Sequence, residues 1–410
     1  MTSLRSKIAR AQHELPPELI DRVIDFLHND PKTLVACSLV ASSWTATSRY
    51  HRFSGVKLIC PNDWTKLDRL VELSPTVVHY VRAVAMDLTN SAPPAKWTAA
   101  FTSFTSLEHL ALSGAIIPPW ESEAAAISSV AHKITTLDIN VAFASGNDFW
   151  PIVRMFPNLV SLRSIGTRYV TMLSPLLSSL PRYSPPISSV SIMTAGQEHV
   201  LEHLCNPPYP LTSLSTLEIC DTDPEQGPGL EALAEAHAGQ IRRLRLYVRT
   251  CSHRCRSLRL FRSWPSRLMT AVDSPDYISR FTNLRHLTFA NLYLTPRDHY
   301  KRSGNGVSFA WVHGAIAALQ SPITHLTIEV IVLQPADLNA VDWKSIDNLL
   351  FIREMFRSLV QVWVVFLDTL EDGDQNPKSI AHPEAIRRQM LLTSAMGLLT
   401  IATRGPELYP

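Results

Sequence analysis

The sequence predicts an α/β fold in which a small helical module precedes a β/α solenoid built on a parallel sheet. Three observations carry this. A six-residue pattern with apolar residues at its first, fourth and sixth positions recurs about every 26 residues from Val81 onward. Helical spacing of apolar residues fills many of the gaps. Residues 15–44 follow a pattern of their own, with Pro-led helical segments in place of the repeat.

The N-terminal elements come first. Pro16 and Pro17 stand at a helix entry, where a missing N–H costs nothing, and Glu18 and Asp21 suit the positive end of the helix dipole. Leu19, Ile20, Val23, Ile24 and Leu27 then form one apolar stripe. Asp30 fits the N-cap of a second helix with Pro31 at its first position, and Trp44 closes the segment. So small a unit cannot bury all of its own apolar surface, and some of that surface is expected to stay exposed for a partner or the neighbouring solenoid.

The segment resembles an F-box, whose pattern runs L-P-x-E-[LI]-[LI]-x-x-[IV], later L, then S-L-V-C-x-x-W. Leu15, Pro16, Glu18, Leu19, Ile20, Val23, Leu27, Leu34, Ser38, Leu39, Val40 and Trp44 match it, and Ala41 replaces the usual Cys. The resemblance implies an F-box module over residues 13–52 that docks on the Skp-type adaptor of a cullin-RING ubiquitin ligase. It implies Leu15, Pro16, Leu19, Ile20, Val23, Leu27, Leu34, Leu39, Val40 and Trp44 as the adaptor-binding set. The alternative reading of the same residues is a helical cap over the first strand of the solenoid.

The repeats begin at 81, 107, 134, 159, 187, 214 and 241, with wider-spaced units at 284, 323 and 359 and an irregular one at Phe53. Ser164 alone breaks the apolar rule. Helices are expected over Glu121–His132, Val170–Leu180 and Leu230–Ala238, and a last one near Pro383. Three longer connections, 249–265, 293–306 and 333–348, account for the widened spacings. The pattern is similar to a leucine-rich repeat, L-x-x-L-x-L-x-x-N, which implies a solenoid over residues 53–410 with a C-terminal cap from about 366. The asparagine of position nine is replaced by Thr89, Ala115, Ala142, Thr222 and Leu292. The usual asparagine ladder is therefore not expected.

Strand alternation sends positions three, five and seven to the face opposite the core. On the later repeats that face carries Arg243, Arg245, Tyr247, His286, His325 and Trp363, the residue types that supply directional contacts. These six are the candidate substrate-binding residues. Nine arginines between Arg242 and Arg267, with no acidic residue or lysine among them, point to an acidic or phosphorylated target. Arg243 and Arg245 are expected to repel each other until an anion joins them. The competing reading is a solvated basic segment neutralised by Glu218, Glu231 and Glu235.

Composition narrows the function classes. A net charge of +2 argues against a dedicated nucleic-acid binder. Six cysteines in 410 residues are too sparse for a disulfide framework, and no apolar run reaches the length of a membrane span, so a cytoplasmic or nuclear protein is expected. Cys251-Ser-His253-Arg-Cys255 and His199-Val-Leu-Glu-His203 lack the further ligands a zinc site needs, and Glu371–Asn376 lacks the spacing of a calcium loop. No phosphate-binding loop or hydrolase motif occurs. The expectation is a non-enzymatic substrate receptor without cofactor or metal; the alternatives are a repeat scaffold with no ligase role and a metal-dependent enzyme.

Overall fold

The computed structural model describes residues 16–28, 30–89, 94–115, 121–145, 149–164, 168–171, 185–192, 204–205, 211–221, 227–248, 276–294, 309–332, 338, 341–367 and 381–404. They divide into two compact units, one within Met1–Leu159 and Tyr169–Leu180, the other within Val160–Arg168 and Pro181–Pro410. Both are α/β.

The first unit opens with three helices, α1 (Pro17–Phe26), α2 (Pro31–Val40) and α3 (Ser42–Phe53). The prolines start α1 and α2 as expected. Asp30 caps α2 by accepting from Lys32 N and Thr33 N, both at 3.1 Å. Trp44, expected to close the segment after two helices, lies on a third helix. Ile20, Ile24 and Leu34 form the module's core, with Leu27 and Trp44 packed against it. Strands β1 (Gly55–Leu58), β2 (Ala83–Asp87), β3 (His109–Ala115) and β4 (Thr136–Ser145) follow, each of the first three pairing in parallel with the next. The helix Pro61–Leu73 joins β1 to β2. Strand β5 (Ser161–Ser164) belongs to the second unit, and β6 (Arg168–Thr171) pairs with β4. The helix expected from Val170 therefore does not start there, because Val170 and Thr171 are β-branched residues in that strand.

In the second unit β5 is followed by β7 (Ser189–Ile192), β8 (Thr216–Asp221), β9 (Arg243–Val248), β10 (His286–Leu294), β11 (His325–Val332), β12 (Gln361–Leu367) and β13 (Leu399–Arg404). Their order is β5-β7-β8-β9-β10-β11-β12-β13, with parallel pairing throughout. Sequence neighbours being spatial neighbours, one strand per repeat, is the arrangement a β/α solenoid requires. Helices Gly227–His237, Phe309–Ala318, Trp343–Ile352, Ala381–Gln389 and Leu391–Ala395 accompany these strands.

The apolar positions are the core, as the repeat demands. Leu110 and Leu137 in the first unit and Leu217, Leu244 and Leu287 in the second are all sealed from solvent. A further position, three residues before the repeat start, is equally buried in seven of the ten repeats: Val78, Phe104, Ala131, Phe156, Leu211, Phe281 and Phe356; Ala238 is half-buried and Gln320 exposed at the same place. Four of these begin a Phe-x-[Asn/Ser]-Leu run, at 104, 156, 281 and 356. The turn at each strand entry also repeats in the backbone. Within each unit the carbonyl two residues into one repeat accepts from two consecutive N–H groups of the next: Arg82 O from Glu108 and His109, Ser215 O from Arg242 and Arg243, Arg242 O from Arg285 and His286, Arg285 O from Thr324 and His325.

These bonds, with side chains just ahead of the repeat start, do the work left undone by the missing position-nine asparagine. Asn158 Nδ2 donates to His132 O at 2.6 Å, and Asn283 Nδ2 donates to Gly239 O at 3.1 Å. Turn carbonyls are satisfied from a different place in the repeat.

Candidate binding surfaces

Two surfaces gather the residues singled out by sequence, one in each unit. The first is the three-helix module. Of the ten residues implied as adaptor contacts, Leu15 lies outside the described residues. Ile20 and Leu34 sit in the module's core, so they hold the helices together and are not surface contacts. The reason is geometric: on a ten-residue helix the stripe is wide enough to split, with Ile20 and Ile24 turned inward. Leu27 and Trp44 are half-buried at the edge of that core. Pro16, Leu19, Val23, Leu39 and Val40 remain outside, Leu39 at 81% and Val40 at 67% exposure.

Sequence reading missed one member of this set. Phe26, at the end of α1, is 78% exposed. Its signal was present, since Leu19, Val23 and Phe26 are spaced by four and three residues, one turn apart along a single face. Five large exposed apolar side chains on two ten-residue helices, α1 and α2, mark an interaction site more than a random scatter would.

The second surface is the non-core face of β8 to β12. Parallel register places Arg243, His286, His325 and Gln361 in one row across β9 to β12, and Glu218, Arg245, Thr288, Thr327 and Trp363 in the next. His286 and His325 stack with ring centroids 4.4 Å apart and planes 15° from parallel. Thr324 Oγ1 lies 2.9 Å from His325 Nδ1 and fixes that ring. Burial first, then the neighbouring His325 and the Arg243 charge, push His286 below the ordinary histidine pKa.

Arg245 and Tyr247 take a different path. Arg245 Nη2 reaches both carboxylate oxygens of Glu329 at 2.8 Å, with Glu329 almost fully buried. The two residues are two strands apart, and the intervening Ala290 carries only a methyl group. At this point β10 bulges, setting Ala290 and Asn291 against Glu329 alone. The Arg245 guanidinium carbon also lies 5.0 Å from the centre of the buried Tyr247 ring. The expected repulsion between Arg243 and Arg245 is therefore relieved inside the protein, and the neutralising carboxylate is Glu329, 84 residues away in sequence. Arg243 is exposed and has no carboxylate partner among the described residues. Trp363 is half-buried on β12 beside Thr327.

The remaining arginines of the basic run, Arg249 to Arg267, lie outside the described residues, as do the Cys251–Cys255 and His199–His203 segments and the acidic turn at Glu371. Among the described residues no group of three or more metal-ligating side chains is present, and no helix is long and apolar enough to cross a membrane. No protein-family model matches the chain, and no curated protein matches it.

Proposed function

We propose that the chain is a leucine-rich-repeat-type substrate receptor of a Skp-cullin-F-box ubiquitin ligase, with the three-helix module binding the adaptor and the non-core face of the later strands holding the target. The carrying observation is the division of labour within α1 and α2. Ile20, Ile24 and Leu34 suffice to hold the helices together, while Leu19, Val23, Phe26, Leu39 and Val40 stay outside where a partner's apolar groove can cover them. On this reading the chain is not itself an enzyme: it brings a target close to catalytic subunits, and ubiquitin transfer occurs elsewhere in the assembly.

The test is co-purification of the chain with a Skp-type adaptor and cullin. Leu19→Ala with Val23→Ala is expected to abolish adaptor recovery while the far-ultraviolet circular dichroism stays unchanged, because neither residue supports the module's core. Undiminished recovery would remove the assignment. A second reading, a scaffold whose helices merely cap the sheet, is favoured by the direct passage from α3 into β1 and by Arg82 lying 5.2 Å over the Tyr50 ring. It predicts no adaptor in the purified material and a large loss of stability when residues 17–53 are deleted.

A further inference from the structure

We propose that Arg243, His286 and His325 form an acid-gated site for a phosphate group. The proposal deepens the recognition role given above to the same face, and it rests on that role only for what carries the phosphate. Three observations lead to it. The first is the row itself: three adjacent strands in register, β9, β10 and β11, each present one cationic or protonatable side chain at the same level, roughly 4.8 Å apart. The second is the imidazole stack, whose 4.4 Å separation lets one tetrahedral anion accept from both rings. The third is the supply of donors. Among the described residues neither ring nitrogen of His286 has a hydrogen-bond partner, His325 engages Thr324 through Nδ1 alone, and Arg243 has no carboxylate.

The charge balance of the face sets the gate. Among the described residues, its other charged groups are Glu218 on β8, Arg245 on β9 and Glu329 on β11; β12 offers only Gln361 and Trp363 on this side. Arg285, next to His286, turns its guanidinium to the Pro322 carbonyl. With both imidazoles neutral, the two arginines and two glutamates cancel. With both protonated, the face is doubly positive, and the two rings and Arg243 then repel one another. Burial adds to that cost. An empty site therefore holds the His286 imidazole back from charging, and a bound dianion removes the penalty. A phosphate monoester brings up to two charges and three acceptor oxygens for three donors, whereas a carboxylate brings one charge and two oxygens.

Binding on these terms takes up protons, so affinity must rise as pH falls through the histidine range. It falls again below about pH 6, where a phosphate monoester loses its second charge. The full-length chain, labelled at histidine, is titrated with phenyl phosphate, a phosphate monoester, against chloride of equal ionic strength and followed by nuclear magnetic resonance. The apparent Kd is expected to drop about tenfold between about pH 7.5 and about pH 6, with the His286 and His325 ring signals moving together. Arg243→Gln and His286→Gln, both at partly exposed positions, are each expected to weaken binding about tenfold or more. A phosphothreonine peptide should bind at pH 6 where its unphosphorylated twin does not. Affinity independent of pH, equal affinity in both variants, absence of phosphate binding at pH 6, or equal binding of the twin peptide would each overturn the site. None of these readouts involves the adaptor, so its failure and that of the ligase assignment are separable.

Discussion

Glu329 shows how a single contact changes what a residue offers. Its carboxylate is nearly buried and accepts twice from Arg245, so removing it takes away the carboxylate bonded to a guanidinium that is largely out of water. Glu329→Gln is expected to cost about 3 kcal/mol in urea unfolding. For the same reason, reversing Arg245 to Glu would set two carboxylates against each other and destabilise the second unit, whereas Arg243→Glu, at an exposed position, should leave the midpoint nearly unchanged. Comparing the two unfolding curves separates a structural arginine from a surface one. Asp63 gives a pH dependence with a definite sign. Accepting from the Cys60 thiol, then the Cys60 amide and Lys66, lowers its pKa from 3.8 to about 2. A carboxyl held low in the folded state stabilises above its unfolded pKa, and that contribution disappears as pH falls from 3.8 through about 2. Asp63→Ala should flatten the acid limb of the stability profile in that window, read as the unfolding midpoint at successive pH values.

At the scale of elements, two short segments depend on residues outside themselves. The helix Leu391–Ala395 is capped by Asp347 of the helix Trp343–Ile352, whose buried carboxylate accepts from Leu392 N at 2.7 Å and Thr393 N at 2.9 Å. Asp347→Ala strands one buried and one partly buried donor and is expected to cost about 2 to 4 kcal/mol by denaturant unfolding. Strand β3 turns at Gly114, which has φ of 100°. A methyl group there would stand 2.5 Å from Thr89 Oγ1 and 2.6 Å from Asp87 Oδ1. Asp87 already accepts from Thr89 N at 2.8 Å, so this turn has little room to yield. Gly114→Ala should destabilise the first unit, visible as a lowered Tm.

For the whole molecule, stability follows the repeat. Leu217 is completely buried, and Leu217→Ala is expected to cost about 2 to 5 kcal/mol through the cavity it leaves. Phe281→Ala, at the buried position just ahead of the repeat, should cost about 3 to 5 kcal/mol, which would rank the pre-repeat aromatic with the repeat leucines. Each unit is an α/β body with its core between sheet and helices, and the exposed apolar residues of α1 and α2 stand apart from that core as a feature that folding does not use.

The amino-acid order alone determined that strands recur at this period, because burying one face of a sheet demands apolar residues at alternate positions whatever the rest of the chain does. It also determined the Pro-led starts of α1 and α2 and the Asp30 cap, all of which depend on residues within a turn of one another. The pre-repeat position was legible too, in Phe104, Phe156, Phe281 and Phe356. Tertiary structure decided the rest. Which half of the α1 stripe faces inward depends on Leu34 and Trp44, and no local spacing separates Ile20 from Leu19. The fate of the two arginines on β9 depends on Glu329, brought within 2.8 Å only by two crossovers and a bulge over Ala290. The stacking of His286 on His325 depends on register between strands 39 residues apart, a quantity set when strands pair and absent from either strand alone.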